Sequence, residues 1–261
     1  MFTASANAQT NDALKTHNSH QMGLIVSSYA YSESSLNVKI EATNVGLDYV
    51  GTVALPNDWY VLGAFDYNNG SVNYSGTGTI TSIPQYYYNV KAAVGYDFAF
   101  DGFVLSPYIG LGQRYLGQKM GGMTSSTGAL GYDRQSTYNY VPVGVIHRYG
   151  VAEKAKIETT FEYDHLLSGN QFSGLSALNG IGGLSGLPDI NNKQTTGYGV
   201  NVAVMYKKDD WSFGPYVKYW SISQSETASG TFTSNGIAYR ATVYEPANTT
   251  NEFGVKFVYL Y

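Results

Sequence analysis

The segment EYDHLL, residues 162–167, places two carboxylates and an imidazole within four positions and is the first candidate for chemistry. Glu162 and Asp164 are two residues apart, so in a strand both point to one face, where an acid and a base could activate water for hydrolysis. His165 follows directly and points to the opposite face, so a regular strand does not form the Asp–His pair. Asp133, in the segment GYDRQS, is a further acidic candidate in a loop. No second acidic pair with matching spacing is apparent, and hydrogen-bonded support of a loop is the favoured interpretation.

Two other combinations have reactive residue types but incomplete sets. Ser106 and His147 fall near neighbouring ends of two predicted strands and would come close, but a third partner is not apparent. His17 and His20 lie three apart in a polar N-terminal stretch, and two imidazoles alone do not define a metal site. We therefore expect no metal, no cofactor and no catalytic residue, and we keep the residues of EYDHLL only as weak catalytic candidates.

Composition restricts the class of protein. Of 261 residues, 15% are aromatic, 25 of them Tyr, while only 13% are charged; an average globular domain has about 25% charged residues. The net charge of −4 leaves no basic patch for phosphates, so nucleic acid is excluded as a partner. A run of ~18 apolar residues is also missing, which excludes a transmembrane helix, whereas a transmembrane strand needs only ~9–11 residues and one apolar side.

Apolar residues alternate with polar or small residues along the whole chain, which predicts strands throughout. Ten segments follow this pattern: 22–33, 43–56, 59–75, 84–100, 103–119, 136–150, 155–168, 193–207, 210–226 and 243–261. Short connectors (PND, DG, VAEKAK, KDD) alternate with long ones (ESSLNVKIEAT, GGMTSSTGALGYDRQS, the 168–192 loop and ETASGTFTSNGIAYRATVY). Asn235-Gly236 predicts a hairpin that continues the last two strands. The fold class predicted is all-β, a closed antiparallel up-and-down transmembrane barrel of about ten strands.

The last eleven residues, NEFGVKFVYLY, show the sidedness most clearly. One face carries Phe253, Val255, Phe257, Tyr259 and Tyr261, and the other carries the charged residues. The aromatic face suits lipid, with Tyr rings at the membrane–water interfaces. A water-borne barrel is the alternative and would turn these faces inward.

With these features the chain resembles the bacterial outer-membrane β-barrel (porin-like) superfamily, small ten-stranded type, over Gln21–Tyr261. The resemblance implies the outer membrane of a Gram-negative bacterium, long extracellular loops, short periplasmic turns and both termini in the periplasm. It implies outer-membrane lipids and lipopolysaccharide as surroundings, and recognition of the five apolar C-terminal residues by the barrel assembly machinery. Ala6-Asn7-Ala8 is a small-x-small pattern, so residues 1–20 are interpreted as a signal-peptide remnant and periplasmic tail, and 21–261 as the barrel. An ordinary Ala-rich N-terminus is the alternative.

Charged side chains on the opposite faces should line the lumen. The predicted inward set is Asp48, Asp66, Lys91, Asp97, Arg114, Arg148, Glu158, Glu162, Asp164, Lys218, Glu252 and Lys256. Mixed signs favour ion pairs across the lumen, because an unpaired buried charge is costly. A narrow pore is the alternative, with space left by Gly95, Gly110, Gly112, Gly144, Gly197 and Gly199.

Three functions follow in order of preference. The first is a non-enzymatic surface, structural or binding barrel that acts through its extracellular loops; the extracellular ligand is not specified by the sequence. The second is a narrow porin-like channel for small solutes. The third is a hydrolase of the omptin type, a resemblance that implies acidic residues and a His at the extracellular rim, for which Glu162, Asp164 and His165 are the nearest match. The uncharged stretch 174–187 could plug the mouth or contact a partner.

Overall fold

The computed structural model describes residues 11–261, and most of this part of the chain is strand. A one-turn helix α1, Asn11–Leu14, precedes the strands, and a 3₁₀ turn, Leu175–Leu178, lies between β8 and β9. The strands are β1 Ser19–Glu33, β2 Val38–Ala54, β3 Trp59–Gly76, β4 Gly78–Tyr96, β5 Phe98–Phe100, β6 Phe103–Gln118, β7 Arg134–Ala152, β8 Ala155–Ser173, β9 Leu184–Ser185, β10 Ile190–Gln194, β11 Gly197–Lys208, β12 Trp211–Ile222, β13 Ala228–Ser234, β14 Ile237–Val243 and β15 Asn248–Leu260. Among the described residues no helix is long and apolar enough to cross a membrane.

The strands close into one antiparallel ring. Pairing runs from β1 through β2, β3, β4, β6, β7, β8, β11 and β12 to β15, and β15 pairs with β1 over Gln21↔Leu260 to Ser32↔Thr249. The short β5 extends the β4 position beside β6, and β10 extends the β11 position beside β8. A closed ring pairs the backbone of every strand without a free edge. The predicted ten-stranded barrel is confirmed.

The outer surface of the barrel has an apolar band between two rings of aromatic side chains. On β3, Val61 and Phe65 point outward between Trp59 and Tyr67. Trp59 packs on Tyr96 at one ring, and Tyr67 packs against a neighbouring tyrosine at the other. The two rings are eight residues apart, about 27 Å along a strand and about 20 Å after tilting. These dimensions suit the apolar band of a transmembrane barrel, about 25 Å tall.

One end of the barrel, the turn end, has short connections, and the other, the loop end, has most of the long ones. Asp101-Gly102 turns the chain between β5 and β6 at the turn end, with Gly102 at a φ of 80°. At the loop end the predicted long connector ESSLNVKIEAT is wrong, because Glu33 already pairs with Val38. Val38 and Ile40 are buried inside the barrel. Because these buried residues alternate with exposed residues, β1 and β2 stay paired beyond the apolar band, and only four residues remain for the turn.

The hairpin predicted at Asn235-Gly236 is present. Both residues have positive φ, 50° and 80°, as a tight hairpin turn requires. The hairpin, β13 and β14, continues the direction of β12 and β15 after irregular segments at 223–227 and 244–247, and β9 pairs with the tip of β13. A small three-stranded sheet therefore projects above the loop end.

The N-terminal segment covers the turn end of the lumen. Leu14 is fully buried, and the backbone N–H of Thr16 donates to Asp97 over 2.5 Å. Lys15 forms an ion pair of 2.7 Å with Asp58. The strand begins at Ser19, two residues before the predicted start of the barrel. The small-x-small pattern at Ala6–Ala8 lies outside the described residues.

Candidate functional site: the barrel lumen

The lumen near the turn end is occupied by a network around Arg148. Its guanidinium donates to Glu158 over 2.9 Å and lies 3.5 Å from Asp97. Ser106 bridges the pair, since it accepts from Arg148 over 2.8 Å and donates to Asp97 over 2.5 Å. Lys207, which was not in the predicted set, adds a 2.8 Å contact to Glu158. Ser106, Arg148, Glu158 and Lys207 come from β6, β7, β8 and β11, and Asp97 lies between β4 and β5, so the network ties neighbouring parts of the wall together.

The central layer crosses the lumen. Lys91 contacts both carboxylate oxygens of Glu162, at 2.6 and 2.5 Å, and Tyr108 donates to the same carboxylate over 2.6 Å. Lys218 reaches Asp66 across the lumen over 2.9 Å. A third bridge, between Lys256 and Asp48, measures 2.5 Å.

Aromatic side chains complete the central layer. Tyr87 and Tyr216 both donate to the carboxylate of Glu252. The guanidinium of Arg114 stacks 4.8 Å from the ring centre of Tyr87 and 5.9 Å from that of Trp220, a distance at which cations and rings attract. Every member of the predicted charged set is therefore inside the barrel, and most are ion-paired.

Inward rings occupy the positions where glycine was expected to leave space for a pore. A Cβ atom on Gly95, Gly112, Gly144 or Gly199 would lie within 3.0 Å of a ring atom of Tyr60, Tyr140, Tyr108 or Trp220, respectively. At Gly110 and Gly197 it would meet the neighbouring strand. These glycines let the rings lie flat on the wall, so the space that the narrow-pore alternative assigned to them is occupied. Several tyrosines are buried in the lumen, in addition to those on the outer surface.

A third network, at the loop end, was not anticipated from the sequence. Arg134 is shared between Glu33, at 3.3 Å, and Glu245. The hydroxyl of Tyr31 donates to Glu33 over 2.6 Å and to Glu245 over 3.2 Å. Glu33 is the last residue of β1, where the first predicted segment also ends, whereas Arg134 was assigned to a long loop and is the first residue of β7. Continuing the two-residue period of β7 back from Tyr138 through Ser136 was the signal that would have placed Arg134 in the wall.

Open space in the lumen is divided into unequal parts. A cavity of about 300 Å³ lies toward the turn end, and one of about 410 Å³ opens at the loop end. Between them the gaps shrink to about 40 Å³ beside Asp164 and about 20 Å³ beside Arg114. Gaps of this size hold one or a few water molecules. The described side chains therefore fill the middle of the barrel.

The hydrolytic candidates are not brought together. Glu162 is held by Lys91, and Asp164 is buried in the wall nine residues before β8 ends at Ser173, so neither is at a rim. His165 points outward, as its adjacency to Asp164 predicts. The rim position expected for this segment is wrong, because β8 continues past the predicted end at residue 168.

The remaining candidates for chemistry have structural contacts. Asp133 accepts from the backbone of Gly121 over 2.8 Å and from Lys119 over 3.1 Å, a contact that raises the pKa of Lys119. Ser106 points into the lumen, whereas His147 packs on the outward ring of Phe103. Ser106 and His147 therefore face opposite sides of the wall. Among residues 11–261 no group of His, Cys, Asp or Glu is arranged to hold a metal ion.

No family model and no curated protein matches the chain. Among solved structures, the outer membrane protease OmpT from Escherichia coli is similar over 94% of this chain and 98% of its own, with a TM-score of 0.58 and 8% identity. The chain has the fold of an outer-membrane β-barrel. An outer membrane channel from Pseudomonas putida F1 (12% identity, 94% and 96% covered, TM-score 0.43) and the translocator domain of the autotransporter NalP from Neisseria meningitidis (12%, 95% and 91%, 0.39) also match.

The last strand of this outer-membrane-type barrel presents its apolar residues to the outside. Phe253, Val255, Phe257, Tyr259 and Tyr261 are between 47% and 74% exposed, and Glu252 on the other face is buried. The outward face of β15 is thus continuous with the apolar band, and its edges are paired with β1 and β12.

Proposed function

We propose that the protein is a non-enzymatic outer-membrane barrel, closed to solute flow, that binds ligands or partners through its loop end. One observation carries the proposal: the middle of the lumen is filled by ion-paired and aromatic side chains, while the loop end has a large cavity and a projecting sheet. Strands that continue well beyond the apolar band hold this end away from the membrane. The architecture suits a rigid support for a binding surface.

Planar-bilayer recording of the purified protein tests closure. We expect no unitary conductance steps from the unaltered protein. Replacing Tyr140 and Trp220 together by Ala should join the central gaps and produce steps. Tyr163→Ala with Tyr198→Ala is the matched control, because these two stacked rings lie on the outer surface, and it should remain silent. Clear steps from the unaltered protein would overturn the proposal.

A narrow channel is the second candidate, favoured by the order of the cavities. Lys218 lines both the turn-end cavity and the gap beside Asp164, Trp220 lines both central gaps, and Arg134 lines both the gap beside Arg114 and the loop-end cavity. The four spaces therefore follow one path through the barrel. Rotation of a few side chains would connect them. This alternative would be established if the unaltered protein showed unitary conductance steps and if Ala64→Phe, which narrows the path, abolished them.

Absence of hydrolysis is part of the proposal. Asp164 faces a gap of about 40 Å³, which is too small for a peptide or an acyl chain. Peptide and lipid substrates should therefore stay intact over the purified protein. A non-enzymatic role would be contradicted if the protein hydrolysed such a substrate and if Asp164→Ala, but not Asp133→Ala, abolished this activity.

The proposal also places the turn end and both termini in the periplasm, and assigns the outward face of β15 to recognition by the barrel assembly machinery. A protease site inserted at Asn235-Gly236 should be cut on intact cells, and one inserted at Asp209-Asp210 should be protected. Phe257→Asp should lower the amount of assembled barrel, since it puts a charge on the lipid face. Glu226→Lys, in the loop after β12, should leave assembly unchanged. The reverse protease pattern would refute the orientation.

A further inference from the structure

The loop end contains a cavity, here called the vestibule, with walls that are partly apolar and partly polar and with a charged floor. Its volume is about 410 Å³, within the range of small-molecule sites. The walls come from the β1–β2 turn, the ends of β3 and β4, the loop after β6 and the segment before β15. Apolar wall residues are Leu36, Val38, Tyr74, Ile80, Met120 and Leu130.

The floor has more carboxylate than cation. Glu33 and Glu245 share the single guanidinium of Arg134, and the hydroxyl of Tyr31 donates to both carboxylates. All of these contacts fall on the two Oε1 atoms. The Oε2 atoms take no part in them, so acceptor capacity and one formal negative charge remain at the floor.

The floor is also built rather than incidental. Glu33 and Arg134 are strand residues of the barrel wall, and Glu33 and Glu245 are each less than a tenth exposed. The backbone N–H of Glu245 donates to Ser225 over 2.8 Å, which holds the carboxylate in place. Burial raises the pKa of Glu245, in agreement with a carboxylate whose charge is incompletely balanced. Groups held by packing and hydrogen bonds are preorganised for a ligand.

We propose that the vestibule binds a small amphipathic organic amine. Its ammonium group donates to the free Oε2 atoms of Glu33 and Glu245, and its apolar body lies against Leu36, Tyr74 and Leu130. The inference rests on the proposed binding function and specifies the ligand class. An anionic ligand fits less well, because both carboxylates already occupy Arg134 and one would have to be displaced.

Dansylcadaverine is a suitable probe, because a primary amine is attached to an apolar fluorophore. The protein is reconstituted in nanodiscs of uncharged phosphatidylcholine, and binding is followed by the rise and blue shift of dansyl fluorescence against empty nanodiscs. N-acetylated dansylcadaverine, which keeps the apolar body and loses the charge, should bind at least about tenfold more weakly, as expected for loss of a charge-assisted hydrogen bond. Dansylglycine supplies the anionic comparison.

Three variants locate the site. Glu33→Gln and Glu245→Gln should each weaken dansylcadaverine binding about tenfold and leave the acetylated probe unaffected. Glu226→Gln is the matched control, since Glu226 is exposed at the same end of the barrel and does not line the vestibule. Ala129→Phe adds a ring to the vestibule wall and should weaken both probes.

Several outcomes would overturn the inference: no binding above empty nanodiscs, equal binding of the free and acetylated amines, tighter binding of dansylglycine, or unchanged affinity in both glutamine variants. The shift of the folded band on unheated gels checks that each variant remains a barrel. If Glu245→Gln does not fold, the inference is still tested by the comparison of the free and acetylated amines and by the effect of Ala129→Phe on their binding. Conductance is measured separately, so failure of this ligand class is distinguishable from failure of the closed-barrel proposal.

Discussion

Removing the cation from the central bridge should destabilise the barrel more than removing both partners. Lys91 lies 2.5 and 2.6 Å from the two carboxylate oxygens of Glu162, and the Glu162 side chain is 3% exposed. Lys91→Met therefore leaves a buried carboxylate without a cation, although the hydrogen bond from Tyr108 is kept. We expect a loss of about 3–5 kcal/mol in the free energy of unfolding, the range found when a buried pair loses one partner.

The double variant Lys91→Met, Glu162→Gln removes the uncompensated charge along with the bridge. Because replacing a whole buried pair is often close to neutral, it should recover at least about 2 kcal/mol relative to Lys91→Met alone. Glu162→Gln by itself should cost less than Lys91→Met, because the Lys91 side chain is 16% exposed and can reach lumen water.

The measurement is urea unfolding of the protein in lipid vesicles, followed by tryptophan fluorescence and by the gel shift of the folded band. Lys208→Met is the control, since Lys208 is exposed at the end of β11 and should change stability by about 0.5 kcal/mol or less. A Lys91→Met loss below about 1 kcal/mol, or simple additivity of the two substitutions, would refute the view that the bridge is shielded from water.

Three more outcomes are expected. Lowering the pH should weaken dansylcadaverine binding as Glu245 takes up a proton. Because burial raises the pKa of Glu245, the loss of affinity should begin at a pH above the ordinary glutamate pKa. In Glu245→Gln this pH-dependent loss of affinity should be absent. Gly112→Ala should cost about 1–3 kcal/mol by pressing on the Tyr140 ring, whereas Gly63→Ala, which meets no atom within 4 Å, should be neutral in the same urea titration. Deleting 174–187 should leave bilayer conductance unchanged, since this stretch is largely exposed and pairs with the projecting sheet; increased conductance would restore the plug hypothesis.

The two-residue period predicts the barrel because membrane and lumen impose opposite polarity on alternate residues. For β15 the alternation assigns Phe257 outward and Lys256 inward, as observed. The same period applied to β8 assigns Glu162 inward and His165 outward. These assignments need no tertiary information, since each strand meets lipid on one side.

Tertiary partners decide the rest. Tyr suits a lipid interface and a lumen equally well, so composition does not reveal that Tyr108 packs over Gly144 on the adjacent strand. Where strands leave the membrane, lipid no longer imposes polarity on the outer face, and the period is harder to recognise. The beginnings of β2 at Val38 and β7 at Arg134 and the end of β8 at Ser173 were therefore missed. The vestibule floor joins three distant parts of the chain and has no local sequence signature.

The joint between β1 and β15 has a consequence for biogenesis. The other pairings in the wall join strands that are consecutive or nearly so in the sequence, but this seam unites the first and the last strand of the barrel. Until β15 arrives, the growing sheet presents two unsatisfied borders, and no shorter length of chain can complete the ring. Insertion into the membrane should thus be an all-or-none event that waits for the final strand. Chains interrupted before it should persist as open sheets prone to pairing with one another.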